Sequence, residues 1–232
     1  VGTAGITTAA YASRQAAAKA GRVFLPSDGF VLERDSGSAW APWGPLFPLT
    51  APVSGDFAWV NQGGASVTTT YGGVYLLAPD SGATNSFRIR KKSATAPYTI
   101  TAHLLPAIQA KNYHQVGLCF RESASGKLHT FGQLFVTTIF NLASTKWTNE
   151  TTFSADYQVS AILDFFPFMR IADDSVNRIC SVSADGQNWI TIHTIGRTDF
   201  LTADEVGFFA NANNSATPNF NVGVTLLSWK QT

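Results

Sequence analysis

Carboxylate spacing decides first what chemistry this sequence can carry. Retaining glycoside hydrolysis needs two carboxyl groups about 5 Å apart. No strand-like segment bears a Glu-x-Asp-x-Glu pattern that would supply them. Glu33-Arg34-Asp35 lies in a small N-terminal hairpin, and Asp173-Asp174 falls in a turn, where solvated acids are ordinary. Asp173, Asp174 and Asn177 together offer three oxygen-bearing side chains to a cation, yet the same spacing serves hydrogen bonds to the turn's own backbone. His114 shares strand parity with Val116, Leu118 and Phe120 while Cys119 points the other way, so the two cannot ligate one metal from a regular strand. No Ser or Cys nucleophile has a recognisable partner, and no glycine-rich phosphate loop is present. Neither catalysis, nor a metal, nor a cofactor is expected.

The residue types favour binding instead. Gln115 and Arg121 sit opposite the core parity of the segment 113–122, and Arg170 lies on a strand of its own. With Trp147 or Tyr157 as an aromatic platform and Asn211 on a nearby loop, 211–215, they form a candidate ligand face; a merely polar sheet face is the competing reading. Arg88, Arg90 and Lys92 share one face of 86–92, with Phe87 and Ile89 on the other. They are either a solvated stripe or a docking stripe for an acidic surface.

The elements that must position these residues are strands. The stretch 168–195 reads as three strands and two turns, a meander in the middle of a sheet. Its second turn contains Asp185-Gly186, the pair best suited to a tight hairpin, and Trp189 opens the third strand. Further strands are expected at 57–61, 65–78, 86–92, 98–105, 113–122, 127–135, 155–163, 205–210 and 220–229. So many short alternating strands predict an all-β, two-sheet antiparallel sandwich over 57–232.

Residues 1–45 read differently. The alanine-rich run from Ala9 to Ala20 predicts a short helix ended by Gly21, but alanine buries too little surface to hold it alone. A small meander follows, with turns at Pro26-Ser27-Asp28-Gly29 and Asp35-Ser36-Gly37-Ser38. Residues 46–56, proline-bearing and aperiodic, predict a linker.

Composition sets outer bounds. A net charge of +1 with only 13% charged residues argues against a nucleic-acid binder. No window of about twenty apolar residues predicts a membrane span, and no signal peptide is visible. Cys119 and Cys180 read as small buried thiols within strands. Six Trp and seventeen Phe suit a β core or sugar platforms.

Two family resemblances extend this reading. The Arg-Ile strand at 170–171, the acidic turn at 173–174, the following strand ending Ser183-x-Asp185-Gly186-x-x-Trp189, Val206-Gly207-Phe208-Phe209, and the terminal segments 56–62 and 222–229 resemble lectin and glucanase jelly rolls of the concanavalin A type. The sialidase Asp-box is set aside, since Ser183 and Trp189 are one residue too close and the motif does not recur. The calcium and manganese cluster of legume-type lectins has no match here. The segment 10–45, with Arg22-Val23-Phe24, Pro26-Ser27-Asp28-Gly29-Phe30 and Arg34-Asp35, resembles one found in tailed-bacteriophage fibre and appendage proteins. That resemblance implies a virion protein made in the host cytoplasm, joined to other virion proteins through residues 1–45 and forming a homo-oligomer, a trimer by preference. The expected function is non-enzymatic adhesion to glycans; a capsid-decoration or baseplate module without sugar binding and a glycan-cleaving hydrolase are the alternatives.

Overall fold

A computed structural model describes residues 6–18, 20–27, 31–45, 49–69, 72–82, 84–213 and 220–232. The chain divides into two compact units, Val1–Pro48 and Leu49–Thr232. Residues Asp28 and Gly29 of the first predicted turn, and Asn214 and Ser215 of the asparagine-rich loop, lie outside the described residues.

In the first unit β1 (Ile6–Ala9) pairs parallel with β2 (Val23–Pro26), which continues into antiparallel β3 (Val31–Asp35) and β4 (Trp40–Pro45). Among the described residues of the expected helix over 9–20, the one helical element is a 3-10 turn at Tyr11–Ser13. Polar capture outcompetes alanine's helix propensity. Buried Asp35 accepts from the Ala18 amide at 3.1 Å and from Arg22 Nε at 2.9 Å, while Arg22 Nη2 also donates to the Ala16 carbonyl at 2.8 Å. Glu33 pairs with Arg14 in the same way. Both acids of the Glu33-Arg34-Asp35 run are therefore structural anchors.

The second unit comprises β5 (Ala58–Val60), β6 (Ser66–Thr68), β7 (Val74–Ala78), β8 (Arg88–Ser93), β9 (Tyr98–Ala107), β10 (His114–Arg121), β11 (Leu128–Val136), β12 (Ile139–Trp147), β13 (Phe153–Ala161), β14 (Phe168–Asp173), β15 (Asn177–Ser183), β16 (Ile190–Gly196), β17 (Glu205–Ala212) and β18 (Val222–Gln231). They form two seven-stranded antiparallel sheets, ordered β13-β12-β11-β10-β17-β8-β5 and β16-β15-β14-β9-β18-β7-β6. This is the all-β jelly-roll sandwich of the concanavalin A type. Alternating residues such as Val116, Leu118 and Phe120 on β10, Ile100 and Leu104 on β9, and Phe208 on β17 fill the space between the sheets. Residues 49–56 belong to this unit: Thr50 exchanges hydrogen bonds with the Ser228 hydroxyl and the Trp229 amide.

Three strand expectations need correction. The segment 65–78 is two strands, because the chain reverses at Gly72 in the left-handed region (φ +81°) and a Cβ at Gly73 would meet the Leu226 carbonyl at 2.9 Å. The stretch 139–147, absent from the expected strands, is the nine-residue strand β12. The β14-β15-β16 meander forms as expected, with Gly186 at φ +76°, but it occupies the edge of its sheet rather than the middle.

Candidate functional site

On β10, residues of the opposite parity to the core face away from the second sheet. There a smaller apolar cluster forms from Phe87, Ile89, Cys119, Leu128, Trp147 and Phe209. It is covered because the first sheet curls. The turn after β12 folds back across the face, and the Glu150 carbonyl accepts from the Phe87 amide at 2.9 Å, although β12 and β8 are separated by three intervening strands. Close backbone contact between β10 and β11 accompanies the curl: a Cβ on Gly132 would lie 2.1 Å from the Val116 carbonyl, and one on Gly117 2.2 Å from that of Phe131.

The rest of that face is an open cup of about 780 Å³, a volume typical of small-ligand sites. Its floor carries Gln115, Thr145, Trp147, Asn211 and Asn213, and its rim Tyr113, Ile139, Phe153 and Val159, with Asp156 among them. The floor is ordered by its own hydrogen bonds. Trp147 Nε1 donates to Thr145 Oγ1 at 2.7 Å, and the Thr145 and Thr130 hydroxyls lie 2.6 Å apart. Asn85 Oδ1 accepts from both Asn211 Nδ2 (3.1 Å) and Asn213 Nδ2 (2.7 Å). Two polar atoms are left over: Gln115 Nε2 and Asn213 Oδ1 are buried without a partner among the described residues. Such atoms cost free energy unless something bonds them.

The rim is aromatic and exposed. Tyr113 and Phe153 are 44% and 47% accessible. Tyr113 holds φ +66°, a costly conformation for a tyrosine, while its amide donates to the Phe135 carbonyl at 2.8 Å. Asp156 is exposed and forms no hydrogen bond or ion pair among the described residues. Partial desolvation beside its apolar neighbours raises its carboxyl above the ordinary range.

Of the residues anticipated from sequence, Gln115, Trp147 and Asn211 meet in the cup. Trp147 is buried in the floor, not displayed from a loop. Arg121 lies further along the same face, paired with Glu205 at 2.5 Å and Glu150 at 3.5 Å. Tyr157 turns the other way: its ring packs against His129 and His193, and its hydroxyl donates to Asp199. Arg170 is in the opposite sheet, its guanidinium 3.7 Å from the centre of the Trp189 ring, so it is not adjacent to Gln115 and Arg121. Arg88, Arg90 and Lys92 do not form a free stripe. Arg88 donates to the Asn61 carbonyl, Arg90 is buried between the Ser54 carbonyl and the Trp59 ring, and Lys92 pairs with Asp56 at 2.9 Å.

Asp173 accepts from Arg197 and the Ser175 amide, and Asp174 caps the Val176 and Asn177 amides. Among the described residues no group of three or more His, Cys, Asp or Glu is placed to hold a metal ion. Sequence reasoning missed Tyr113, Asn141, Phe153 and Asp156.

No protein-family model matches this chain, and no curated protein does. Solved structures do. A functionally unknown protein from Saccharomyces cerevisiae superposes with a TM-score of 0.60 at 16% identity, covering 78% of this chain and 98% of its own. A xylan β-1,4-xylosidase from Bacillus halodurans C-125 gives 0.53 at 12% identity over 90% of this chain, which spans only 46% of that enzyme. The legume lectin-like domain from Entamoeba histolytica gives 0.48 at 11% identity, covering 76% of this chain and 89% of the domain. At such identities the likeness concerns fold alone.

Proposed function

We propose that this chain is a non-enzymatic glycan-binding protein whose saccharide occupies the cup on the curled sheet. One observation carries the reading. Gln115 and Asn213, each with a buried polar atom (Nε2 and Oδ1) that has no partner among the described residues, line a cavity rimmed by exposed aromatic rings. A sugar matches both features, since its hydroxyls donate and accept while its C–H faces stack on aromatic rings. Cleavage of the two-carboxylate kind finds no support here, because Asp156 is the single carboxylate in the lining.

Adhesion from the surface of a tailed-phage particle, with residues 1–45 joining other virion proteins in a trimer, is the setting we propose. It is supported by the resemblance of the segment 10–45. The alternative of a structural module that binds no sugar draws on the exposed apolar residues Ile139, Val159, Leu163 and Phe165, which another subunit would cover.

The test is binding of the folded full chain to a broad glycan array, alongside Gln115→Leu and Phe153→Ser variants. Wild-type binding to a subset of glycans, lost in both variants, is the expected result. A folded wild-type sample that binds nothing on the array abandons this reading in favour of the structural module.

A further inference from the structure

We propose that the cup selects a saccharide bearing a free ammonium group, a de-N-acetylated hexosamine, and rejects uronates. This rests on the glycan-binding reading and adds the charge of the ligand to it.

Among the described residues Asp156 is the only charged side chain in the lining. Elsewhere among the described residues acids are met by a cation or by hydrogen-bond donors: Glu33 by Arg14, Asp35 by Arg22, Asp56 by Lys92, Asp173 by Arg197, and Glu205 by Lys91 and Arg121, while Glu122, Asp174, Asp185 and Asp204 accept from hydroxyl or backbone N–H groups. Asp156 has no such partner among the described residues. The nearby bases cannot supply one. Lys146 is the neighbour of Thr145, the residue registered opposite Asp156, but strand alternation sends it to the other face, where its ammonium lies 4.4 Å from the centre of the Tyr157 ring. Arg121 is held by Glu205 and Glu150. The complementary charge must therefore arrive with the ligand.

Three neighbours make that ligand a sugar and not a bare amine. Gln115 and Asn213 line the cup with an amide donor (Nε2) and an amide acceptor (Oδ1) that are buried without a partner among the described residues, and hydroxyls on a ligand seated against them would satisfy both. Phe153, exposed at the rim, presents a ring face suited both to a pyranose and to a cation. A uronate would set carboxylate against carboxylate in a cup without a balancing base. Desolvation that lifts the Asp156 carboxyl above its usual range is relieved when an ammonium group pairs with it.

The experiment is titration calorimetry at pH 6 on the full chain and on Asp156→Asn. The probes are β-1,4- and β-1,6-linked glucosamine tetramers, their N-acetylated forms, an oligogalacturonate and spermine. A charge-assisted hydrogen bond in a partly desolvated site is worth at least a factor of about ten. At least one glucosamine tetramer should bind about ten-fold tighter than its N-acetylated form, and oligogalacturonate should not bind. Asp156→Asn should erase that preference with an unchanged circular dichroism spectrum, since the side chain is exposed. Equal affinity for free and acetylated tetramers, an unaffected Asp156→Asn, tighter uronate binding, or spermine binding as tightly as the sugar each overturns the proposal. If no glucosamine tetramer binds, the proposal also fails; when the same sample binds neutral glycans on the array, the glycan-binding reading stands without it.

Discussion

At the scale of single residues, Tyr113 separates stability from function most cleanly. Its backbone occupies the left-handed region, which costs a non-glycine residue about 1–2 kcal/mol. Its ring is exposed at the cup and does little for the core. Glycine at this position relieves the backbone cost but gives back part of the gain as unfolded-state entropy. Tyr113→Gly should therefore keep its urea midpoint at or slightly above that of the wild type, within about 1 kcal/mol. Its glycan binding should weaken several-fold. A variant that loses stability and keeps binding would show the ring to be structural. Alternation along 113–122 gives Tyr113 the parity of Gln115; the left-handed backbone at this position is what the sequence pattern does not reveal.

At the scale of elements, the hairpin between β12 and β13 makes the cup, and Phe87 is what it closes on. Phe87 is fully buried, with ring centroids 4.6 Å from Trp147 and 4.9 Å from Phe209, and its amide donates to the Glu150 carbonyl. Phe87→Ala should cost about 3–5 kcal/mol, the usual range for emptying a buried aromatic site. Amide exchange at 148–153 should quicken in that variant while β9 and β18, on the other sheet, keep their protection. Unchanged exchange in the hairpin would mean that it holds its place without this contact.

The same elements show what the sequence made legible. Alternation in 113–122 correctly separates Gln115 and Arg121 from the core parity, and Asp185-Gly186 correctly marks a hairpin. The strand β12 stayed hidden because its faces are mixed: Leu142 enters the core beside Ser144, which bonds His129, while Ala143 and Thr145 alternate with them. Asp156 stayed hidden for a different reason. Register shifts between β12 and β13 set Phe153, Asp156 and Val159 on the cup at three-residue spacing, which a two-residue period cannot detect. Arg121 was visible, but its pairing with Glu205 joins residues 84 positions apart and depends on strand order. Strand order likewise places Arg170 in the opposite sheet.

At the scale of the whole molecule, the four histidines together set the response to acid. His129 is the centre of a polar cluster buried between the sheets. Arg178 Nη1 lies 3.0 Å from His129 Nδ1, and a guanidinium can only donate, so Nδ1 accepts. The proton is then on Nε2, which donates to Ser144 Oγ at 2.7 Å. His193, Tyr157, Cys180 and stacked Phe120 complete its surroundings, with Lys146 and Arg178 supplying positive charge. Burial, and then Arg178, push His129 well below the ordinary value of 6.5. Burial also lowers His103, His114 and His193, with Asp80 opposing it at His114 and Asp199 at His193. Below pH 6.5 the unfolded chain therefore binds protons that the folded chain refuses. Stability is complete above that value and falls as the pH drops toward the folded-state values, by roughly 1 kcal/mol per pH unit for His129 alone. Urea unfolding from pH 8 to pH 5 should show a plateau above pH 7 and a decline below 6.5, and His129→Gln should lower that slope by about one proton's worth. Stability that stays flat or rises from pH 7 to pH 5.5 would mean that the folded protein takes up these protons without strain. In that case the inter-sheet cluster would tolerate an imidazolium beside Arg178, contrary to its geometry.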